Sequence, residues 1–201
     1  TNNITQTIAH SRYATQEVCD KCQIPTHFFS VNIDISKYKS YSFEEKEKII
    51  VLSPDENEHK AKIVEKLKQE LPDWQLVTVQ NMTFPEYVDL ISRAFFTITF
   101  GEGFDGYLNE PICANSVGLA VYNDNFFPNT EWKNLFNIYN SYEEMFSKIT
   151  SDIKFLTSNP KEYKRLNFIH LQKLKTFLEP ENFTLNLKHF YKNQYDFYPA
   201  K

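Results

Sequence analysis

The sequence predicts an α/β fold: a Rossmann-like, open and mostly parallel sheet with helices on both faces and a helical C-terminal extension. Three observations support this prediction. Short apolar runs alternate with amphipathic helical stretches as far as residue 122, which is typical of strand–helix–strand units. Several of the helical stretches begin with a capping signal, among them Thr83 with Glu86 and Ser141 with Glu144. Residues 141–195 carry helical periodicity only.

Five apolar runs are interpreted as buried strands because each is short and is followed by turn residues. They are His27–Val31, Ile49–Ser53, Gln75–Val79, Phe95–Phe100 and Leu119–Tyr122, with Thr7–His10 as a candidate sixth. Strands that alternate with helices are joined by right-handed crossovers and pair in parallel. No internal repeat, linker or second core interrupts the pattern, so a single domain over residues 1–201 is expected.

Two helix starts matter for a ligand site. Ser53-Pro54-Asp55-Glu56 combines an N-cap residue, a proline at the first helical position and a capping-box glutamate, which predicts a helix over residues 56–70. Pro111 lacks an N–H group and is tolerated in a first turn, so the helix that contains it is predicted to begin near Leu108 or Asn109. The free N–H groups of that helix would offer a place to an anion such as a diphosphate.

Composition excludes several classes of function. The net charge of −4 and the isoelectric point near 5.8 argue against a nucleic-acid-binding protein, which normally carries a basic face. No apolar run approaches the roughly 18 residues that a transmembrane helix needs. Three cysteines, an odd number, suit a reducing compartment, so a cytoplasmic location is expected. Cys19 and Cys22 form a CxxC pair without a second pair or nearby histidines, and no metal site is expected.

Glycine marks one loop of the chain. The chain has only four glycines, and all lie within one stretch of 18 residues: Gly101, Gly103, Gly106 and Gly118. Three of them form a loop over residues 101–106, here called the glycine loop, directly after the predicted strand Phe95–Phe100. One interpretation is the Gly-x-Gly-x-x-Gly dinucleotide motif, with NAD as cofactor and Asp124 as a ribose ligand. A purely structural tight turn is a second interpretation.

A third interpretation uses the two glutamates that flank this loop. Glu102 and Glu110 are separated by seven residues, and an ionised carboxylate can accept two hydrogen bonds from a vicinal diol. Backbone N–H groups between two such acceptors suit a diphosphate with a sugar at each end, which is a nucleotide-sugar. The dinucleotide interpretation would place Glu102 and Asp105 beside a pyrophosphate, where like charges repel, so the nucleotide-sugar is preferred.

The segment Gly101-Glu102-Gly103-Phe104…Glu110 resembles the Glu-x7-Glu motif of GT-B-fold glycosyltransferases, the retaining group 1 family related to glycogen synthase. The resemblance covers about residues 7–193 and implies the C-terminal, donor-binding half of such an enzyme without its acceptor-binding N-terminal domain. The further segments that carry it are His10-Ser11-Arg12-Tyr13, Ile24-Pro25, Val31-Asn32-Ile33-Asp34, Leu119–Asn123, Asn140–Met145, Asn159–Leu166 and Phe177–Tyr191.

The resemblance implies roles for the residues of the motif. Glu102 would act at the catalytic centre on the hydroxyls of the donor sugar, and Glu110 would contact the ribose. The backbone from Gly101 to Phe104, with the amides of Gly103 and Phe104, would approach the sugar or its phosphates. The chain departs from the family pattern at Asp105, where many members have glycine, and at Pro111, where alanine is commoner.

The phosphate and base contacts are the other part of the predicted site. Lys60 matches the family's phosphate-binding lysine, offset by a residue or two, but Ser53 stands where the family has a phosphate-binding arginine. The diphosphate would then rely on Lys60 and on a helix N-terminus capped by Ser53. Asn81 and Met82 follow the third predicted strand on the ligand side and are expected to touch the nucleobase.

The resemblance implies a hexosyltransferase-type enzyme that moves a sugar from a nucleotide diphosphate to a saccharide or lipid-linked acceptor, as in polysaccharide biosynthesis. The nucleotide-sugar is the substrate, so neither a cofactor nor a metal is expected. An N-terminal domain or a partner subunit would supply the acceptor side, and the isolated chain is expected to be inactive. The aromatic tail Phe190–Tyr198 leaves open a peripheral association with a membrane. The alternatives are a catalytically silent GT-B-like partner subunit and an NAD-binding oxidoreductase domain.

Overall fold

A computed structural model describes residues 4–10, 12–29, 33–176 and 180–200 of the chain, with the backbone alone for residues 180–182. The chain divides into two compact units, the first formed by Thr1–Ile33 with Lys173–Lys201 and the second by Asp34–Gln172. The expected single domain stays a prediction beside this division. The second unit holds the central sheet and the glycine loop.

Seven strands and seven helices are present in the described residues. The strands are β1 (Gln6–Ile8), β2 (Thr26–Phe28), β3 (Glu47–Leu52), β4 (Gln75–Thr78), β5 (Ala94–Ile98), β6 (Val117–Val121) and β7 (Ile138–Tyr139). The helices are α1 (Gln16–Cys22), α2 (Lys60–Glu70), α3 (Phe84–Arg93), α4 (Gly106–Cys113), α5 (Tyr142–Ser158), α6 (Pro160–Lys175) and α7 (Pro180–Tyr191). Short 3-10 turns cover Ile35–Lys37, Phe43–Glu45 and Thr130–Asn134.

The central sheet of the second unit confirms the predicted Rossmann-like α/β fold. Its five strands are all parallel, in the order β4-β3-β5-β6-β7. Along the chain, β3 is the first strand of this sheet, and β4 pairs on one side of it. The chain then crosses to the other side of β3, where β5, β6 and β7 follow in order. This reversal between β3 and β5 is a topological switch point, where open parallel sheets bind their ligands beyond the carboxyl ends of the strands.

Helices cover both faces of this sheet. On one face, Ile50, Phe96 and Leu119 belong to a core cluster that also contains apolar side chains of α2, α5 and α6. On the other face, α3 contacts β3 and β5, and α4 contacts β5 and β6. Because successive residues of a strand point to opposite faces, buried runs such as Ile49–Leu52 serve both layers at once.

The strand predictions were confirmed for four members of the central sheet, namely β3, β4, β5 and β6. The prediction was wrong for His27–Val31 as a member of that sheet, because β2 covers Thr26–Phe28 and pairs only with β1 in the first unit; Ser30, Val31 and Asn32 lie outside the described residues. β1 overlaps the candidate sixth strand. β7 was not predicted, because two residues are too few to show a period.

The amino edge of the central sheet, where the parallel strands begin, holds a buried lysine. Lys46 directly precedes β3, and its ammonium group donates hydrogen bonds to the carbonyl oxygens of Ser92 and Ala114 and to Oγ of Ser116, over 2.6–2.7 Å. An ammonium group has three hydrogens, so these acceptors use all of them. Since Ser92 and Ala114 lie at the C-terminal ends of α3 and α4, the lysine joins two helix ends to the start of the sheet.

The first unit consists of β1, α1, β2, α7 and the C-terminal tail. His27 is completely buried there, with Nδ1 2.8 Å from the Asp196 carboxylate and Nε2 2.9 Å from the carbonyl oxygen of Asn186. Thr26 forms an antiparallel bridge with Phe197, which attaches the tail to β2. Of the segments that carry the family resemblance, Ser11, Val31, Asn32 and residues 177–179 lie outside the described residues. No helix in the described parts of the chain is both long enough and apolar enough to cross a membrane.

Candidate functional site

The loops after β3 and β5 meet at the switch point. The amide nitrogen of Phe100 donates to Oγ of Ser53 over 2.9 Å, and Nδ2 of Asn57 donates to the carbonyl oxygen of Phe100 over 3.2 Å. The Asp55 carboxyl group lies over Gly101, so close that a Cβ on that glycine would be 2.9 Å from it. These contacts bring the residues after β3 against the start of the glycine loop.

Ser53 is fully buried and is not a helix cap, which corrects the prediction. Its amide donates to the carbonyl oxygen of Ile98, so Ser53 continues the pairing of β3 with β5, and its hydroxyl is used by Phe100. Helix α2 begins at Lys60, and its N-cap residue, His59, makes no side-chain cap. The capping signal was overridden because the extended backbone and the hydroxyl of Ser53 are both used by the sheet.

Lys60 ties the loop after β3 together. Its ammonium donates to the carbonyl oxygens of Ser53 and Asp55, each over 2.8 Å, and it lies 5.6 Å from the centre of the Phe100 ring. Two of its three hydrogens are therefore used within the protein. The predicted phosphate contact of Lys60 stays a prediction that depends on the remaining hydrogen.

Asp105 caps the helix that follows the glycine loop. Its carboxylate accepts a hydrogen bond from the Leu108 amide over 3.1 Å and another from the hydroxyl of Thr99. Helix α4 thus begins at Gly106, and the expectation that it begins near Leu108 or Asn109, with free N–H groups for a diphosphate, was wrong. Burial raises the pKa of Asp105, and the nearby Asp55 charge also raises it, against the hydrogen bond from Thr99.

Pro111 lies inside α4, at its sixth residue, rather than in the first turn. A proline in that position cannot donate to the carbonyl oxygen four residues earlier, which belongs to Tyr107. The hydroxyl of Thr97 on β5 donates to that oxygen instead. The tertiary structure therefore supplies the missing hydrogen bond, which is why the helix can extend on both sides of the proline.

Two of the glycines are required by packing. Gly103 has φ +84°, and a Cβ placed on it would lie 2.5 Å from the carbonyl oxygen of Val121. A Cβ on Gly118 would lie 2.2 Å from the carbonyl oxygen of Leu108, so this glycine permits the close approach of α4 to β6. Gly103 therefore supports the structural interpretation of the glycine loop, whereas Gly101 is exposed.

The two glutamates of the motif lie in different environments. Glu102 is exposed on the glycine loop. Glu110 is half-buried, and its carboxylate lies against Gly106, where a Cβ would be 3.0 Å from Oε1. Burial raises the pKa of Glu110, while the hydroxyls of Tyr38 and Tyr87 act in the opposite direction. Glu110 therefore faces side chains of its own protein, and Glu102 faces solvent.

The remaining predicted residues are Phe104 on the glycine loop and Asn81 and Met82 after β4. The Phe104 ring packs on Trp132 and Phe127, with centroid distances of 4.9 and 5.4 Å. Asn81 is exposed and has φ +53°, and Met82 is half-buried beside it. Both follow β4, which lies on the side of β3 away from β5. Their contact with a nucleobase stays a prediction, as do the contacts of the Gly103 and Phe104 amides.

Sequence reasoning missed an aromatic stack beside the switch point. His59 and Tyr142 are nearly parallel, with ring centroids 4.8 Å apart and an interplanar angle of 12°. The Tyr142 ring is parallel to that of Phe100 at 6.5 Å, and its hydroxyl donates to the carbonyl oxygen of Phe100 over 3.3 Å. Tyr142 comes from α5, 40 residues beyond Glu102 in the chain, so no local motif could have indicated it.

The described residues contain no group of three or more histidine, cysteine or acidic side chains that could hold a metal ion. Cys19 and Cys113 are buried and Cys22 is exposed, and none of these three forms a disulfide. The site offers carboxylates, backbone groups and aromatic rings, which can bind hydroxyls and planar rings.

Comparison with known proteins adds no family assignment. The chain matches no protein-family model and no curated protein sequence. The resemblance to GT-B glycosyltransferases therefore depends on the motif at the glycine loop and on the sheet that carries it.

Proposed function

We propose that this chain is the donor-binding domain of a glycosyltransferase that takes a sugar from a nucleotide diphosphate. The observation that carries the proposal is the position of Glu102. Its exposed carboxylate lies on a glycine loop at the switch point of a five-stranded parallel sheet. Ligands of such sheets bind there, and a carboxylate is a strong acceptor for sugar hydroxyls.

In this proposal, Glu102 orients the donor sugar by accepting hydrogen bonds from its hydroxyls. The protein contributes chiefly by positioning the anomeric carbon and by stabilising charge on the leaving diphosphate. The acceptor, a saccharide or a lipid-linked saccharide, would be bound by a further domain or a partner subunit. The glycine loop then supplies the donor-binding part of the enzyme.

The charges around the loop modify the expected diphosphate contacts. Asp105 occupies the N-terminus of α4, where the diphosphate was expected, and Asp55 lies over Gly101. A diphosphate near these carboxylates would meet like charge unless a cation offsets it. The free hydrogen of Lys60 is the cationic donor at this place, and we expect weak nucleotide binding as a consequence.

The same observations favour a second candidate function, a catalytically silent subunit that pairs with an active partner. A buried serine at position 53 replaces the arginine of the family pattern, and Asp105 caps α4 in the place of the anion. Such a subunit would have the fold and no affinity for nucleotides. An NAD-binding oxidoreductase domain stays the third alternative, although its motif follows the third strand of the central sheet in chain order rather than the first.

Calorimetric titration with UDP, GDP, ADP and NAD separates these functions. The donor-binding proposal expects weak binding of one nucleoside diphosphate and tighter binding of its nucleotide-sugar. The silent subunit expects no binding of any of them, and the oxidoreductase expects binding of NAD alone. No heat signal with any diphosphate or nucleotide-sugar would overturn the proposal.

Glu102→Gln tests the assigned contact. We expect it to weaken binding of the nucleotide-sugar about tenfold, the effect of one charge-assisted hydrogen bond, and to leave the bare nucleoside diphosphate nearly unchanged. Glu65→Gln, an exposed position on α2 where the same charge is removed, is the matched control and should change neither affinity. Equal losses for both ligands would remove Glu102 from the sugar contact.

A further inference from the structure

The aromatic stack of His59 and Tyr142 belongs to the same place as the glycine loop. Asn57 joins the two: its Nδ2 donates to the carbonyl oxygen of Phe100, and its Oδ1 accepts from the His59 amide over 2.9 Å. The Tyr142 hydroxyl donates to the same Phe100 oxygen. The Phe100 carbonyl oxygen, immediately before the glycine loop, is therefore bonded directly to Tyr142 and is linked through Asn57 to the backbone of His59.

The His59 end of this stack is partly exposed to solvent. Tyr142 covers one face of the imidazole, yet a third of the His59 side chain, 33%, is still exposed. A planar group could therefore reach the imidazole from solvent and pack on the aromatic pair that His59 and Tyr142 form.

The charges beside the stack exclude an anionic group from this position. Oε1 of Glu58 lies 3.5 Å from Nε2 of His59. Hydrogen bonds from its own amide and from Ser141 lower the pKa of Glu143, and the neighbouring His59 ring lowers it further. Two carboxylates around the ring disfavour a phosphate. The carboxylates can accept hydrogen bonds from the N–H groups of an uncharged planar ring, and stacking of that ring on the aromatic side chains is favourable.

We propose that His59 and Tyr142 form the stacking surface for the nucleobase of the donor. This inference rests on the proposed function and specifies which part of the ligand lies there. It places the base on the side of the switch point that α2 and α5 cover. The sequence-based expectation placed it beside Asn81 and Met82, which follow β4.

The test compares His59→Ala with Asn81→Gly, a change that keeps the positive φ of residue 81. The probe is whichever of UDP, GDP and ADP the unaltered chain binds, measured by calorimetry, with saturation-transfer NMR of its base and ribose protons. We expect His59→Ala to weaken binding about tenfold and to abolish transfer to the base protons, as stacking on one ring predicts. Asn81→Gly should leave both readouts unchanged.

Two further variants separate stacking from structure. His59→Phe keeps a planar ring and should retain binding within about twofold, whereas Tyr142→Leu should weaken it as His59→Ala does. His189→Ala, at a half-buried histidine of α7, is the control and should have no effect. If His59→Ala binds the nucleotide as the unaltered chain does, or if only Asn81→Gly weakens it, the stacking surface is wrong while the donor-binding function stands. If the unaltered chain binds no nucleotide, both proposals fail.

Discussion

Polar groups have different surroundings at the amino edge of the central sheet, where the strands begin, and at its carboxyl edge, where they end. At the amino edge, the Lys46 ammonium is buried and gives each of its hydrogens to a protein oxygen. At the carboxyl edge, where the strands end, Glu102 is exposed and Asp105 and Glu110 are only partly buried. The two edges belong to the same strands, so the contrast does not come from differences in the sheet itself.

The difference shows where this fold can hold a ligand. A buried ammonium group whose partners are all protein atoms has a structural role, because exchanging any of them would leave an unpaired group. A partly exposed carboxylate loses little when a ligand hydroxyl replaces water. The amino edge is therefore structural, and the carboxyl edge is where our proposal places the ligand. Three predictions examine this comparison.

Lys46→Ala should have the largest effect. It leaves the carbonyl oxygens of Ser92 and Ala114 and the Ser116 hydroxyl without their donor, and we expect a loss of about 3 kcal/mol in the free energy of unfolding, measured with denaturant. Lys48→Ala, two residues further along the chain, is the control, because Lys48 is 58% exposed and should contribute less than about 1 kcal/mol. A loss below 1 kcal/mol for Lys46→Ala would contradict the structural role of the amino edge.

The pH dependence of stability gives the next largest effect. Burial lowers the pKa of Lys46 from 10.5 to about 7. Between these two pH values, the unfolded chain binds a proton that the folded chain lacks, so the free energy of unfolding rises with pH. Relative to a Lys46→Met variant, the unaltered chain should gain about 2 kcal/mol between pH 7 and pH 9. A difference between the two proteins that is constant over this range would show that the ammonium stays protonated.

Asp105→Asn should have the smallest effect and concerns the carboxyl edge. Asparagine caps helices about as well as aspartate, so the free energy of unfolding should change by less than about 1 kcal/mol. Removal of the negative charge beside the glycine loop should raise nucleoside diphosphate affinity about fivefold, which corresponds to roughly 1 kcal/mol. Calorimetry checks this change. An unchanged affinity would place the phosphates away from the N-terminus of α4.

The order of strands and helices in the second unit followed from the sequence, because hydrophobic periodicity and start signals are local. The capping box of Thr83 with Glu86 and the cap at Ser141 were both found where the sequence indicated them. Ser53 carried the same kind of signal and became part of the sheet, because pairing with β5 used its amide and its hydroxyl. A local signal is reliable only where no tertiary partner competes for the same atoms.

The candidate site was predicted in part. The glycine loop was expected at the carboxyl end of a central strand, and it lies after β5. The capping of α4 by Asp105 was not predicted, because an aspartate at this position is compatible with a loop or with a helix cap until the start of the helix is known. The aromatic stack was invisible, because its rings come from separate connections that only the folded chain brings together.

By itself, the sequence determined the α/β class, four strands of the central sheet and the position of the glycine loop after the third of them. These features depend on hydrophobic period and on backbone freedom, which are properties of neighbouring residues. Only the tertiary structure decided the strand order, the burial of Lys46 and the surroundings of Glu102 and Glu110. Those features depend on which distant groups share one space, because burial and hydrogen-bond partners are set by packing.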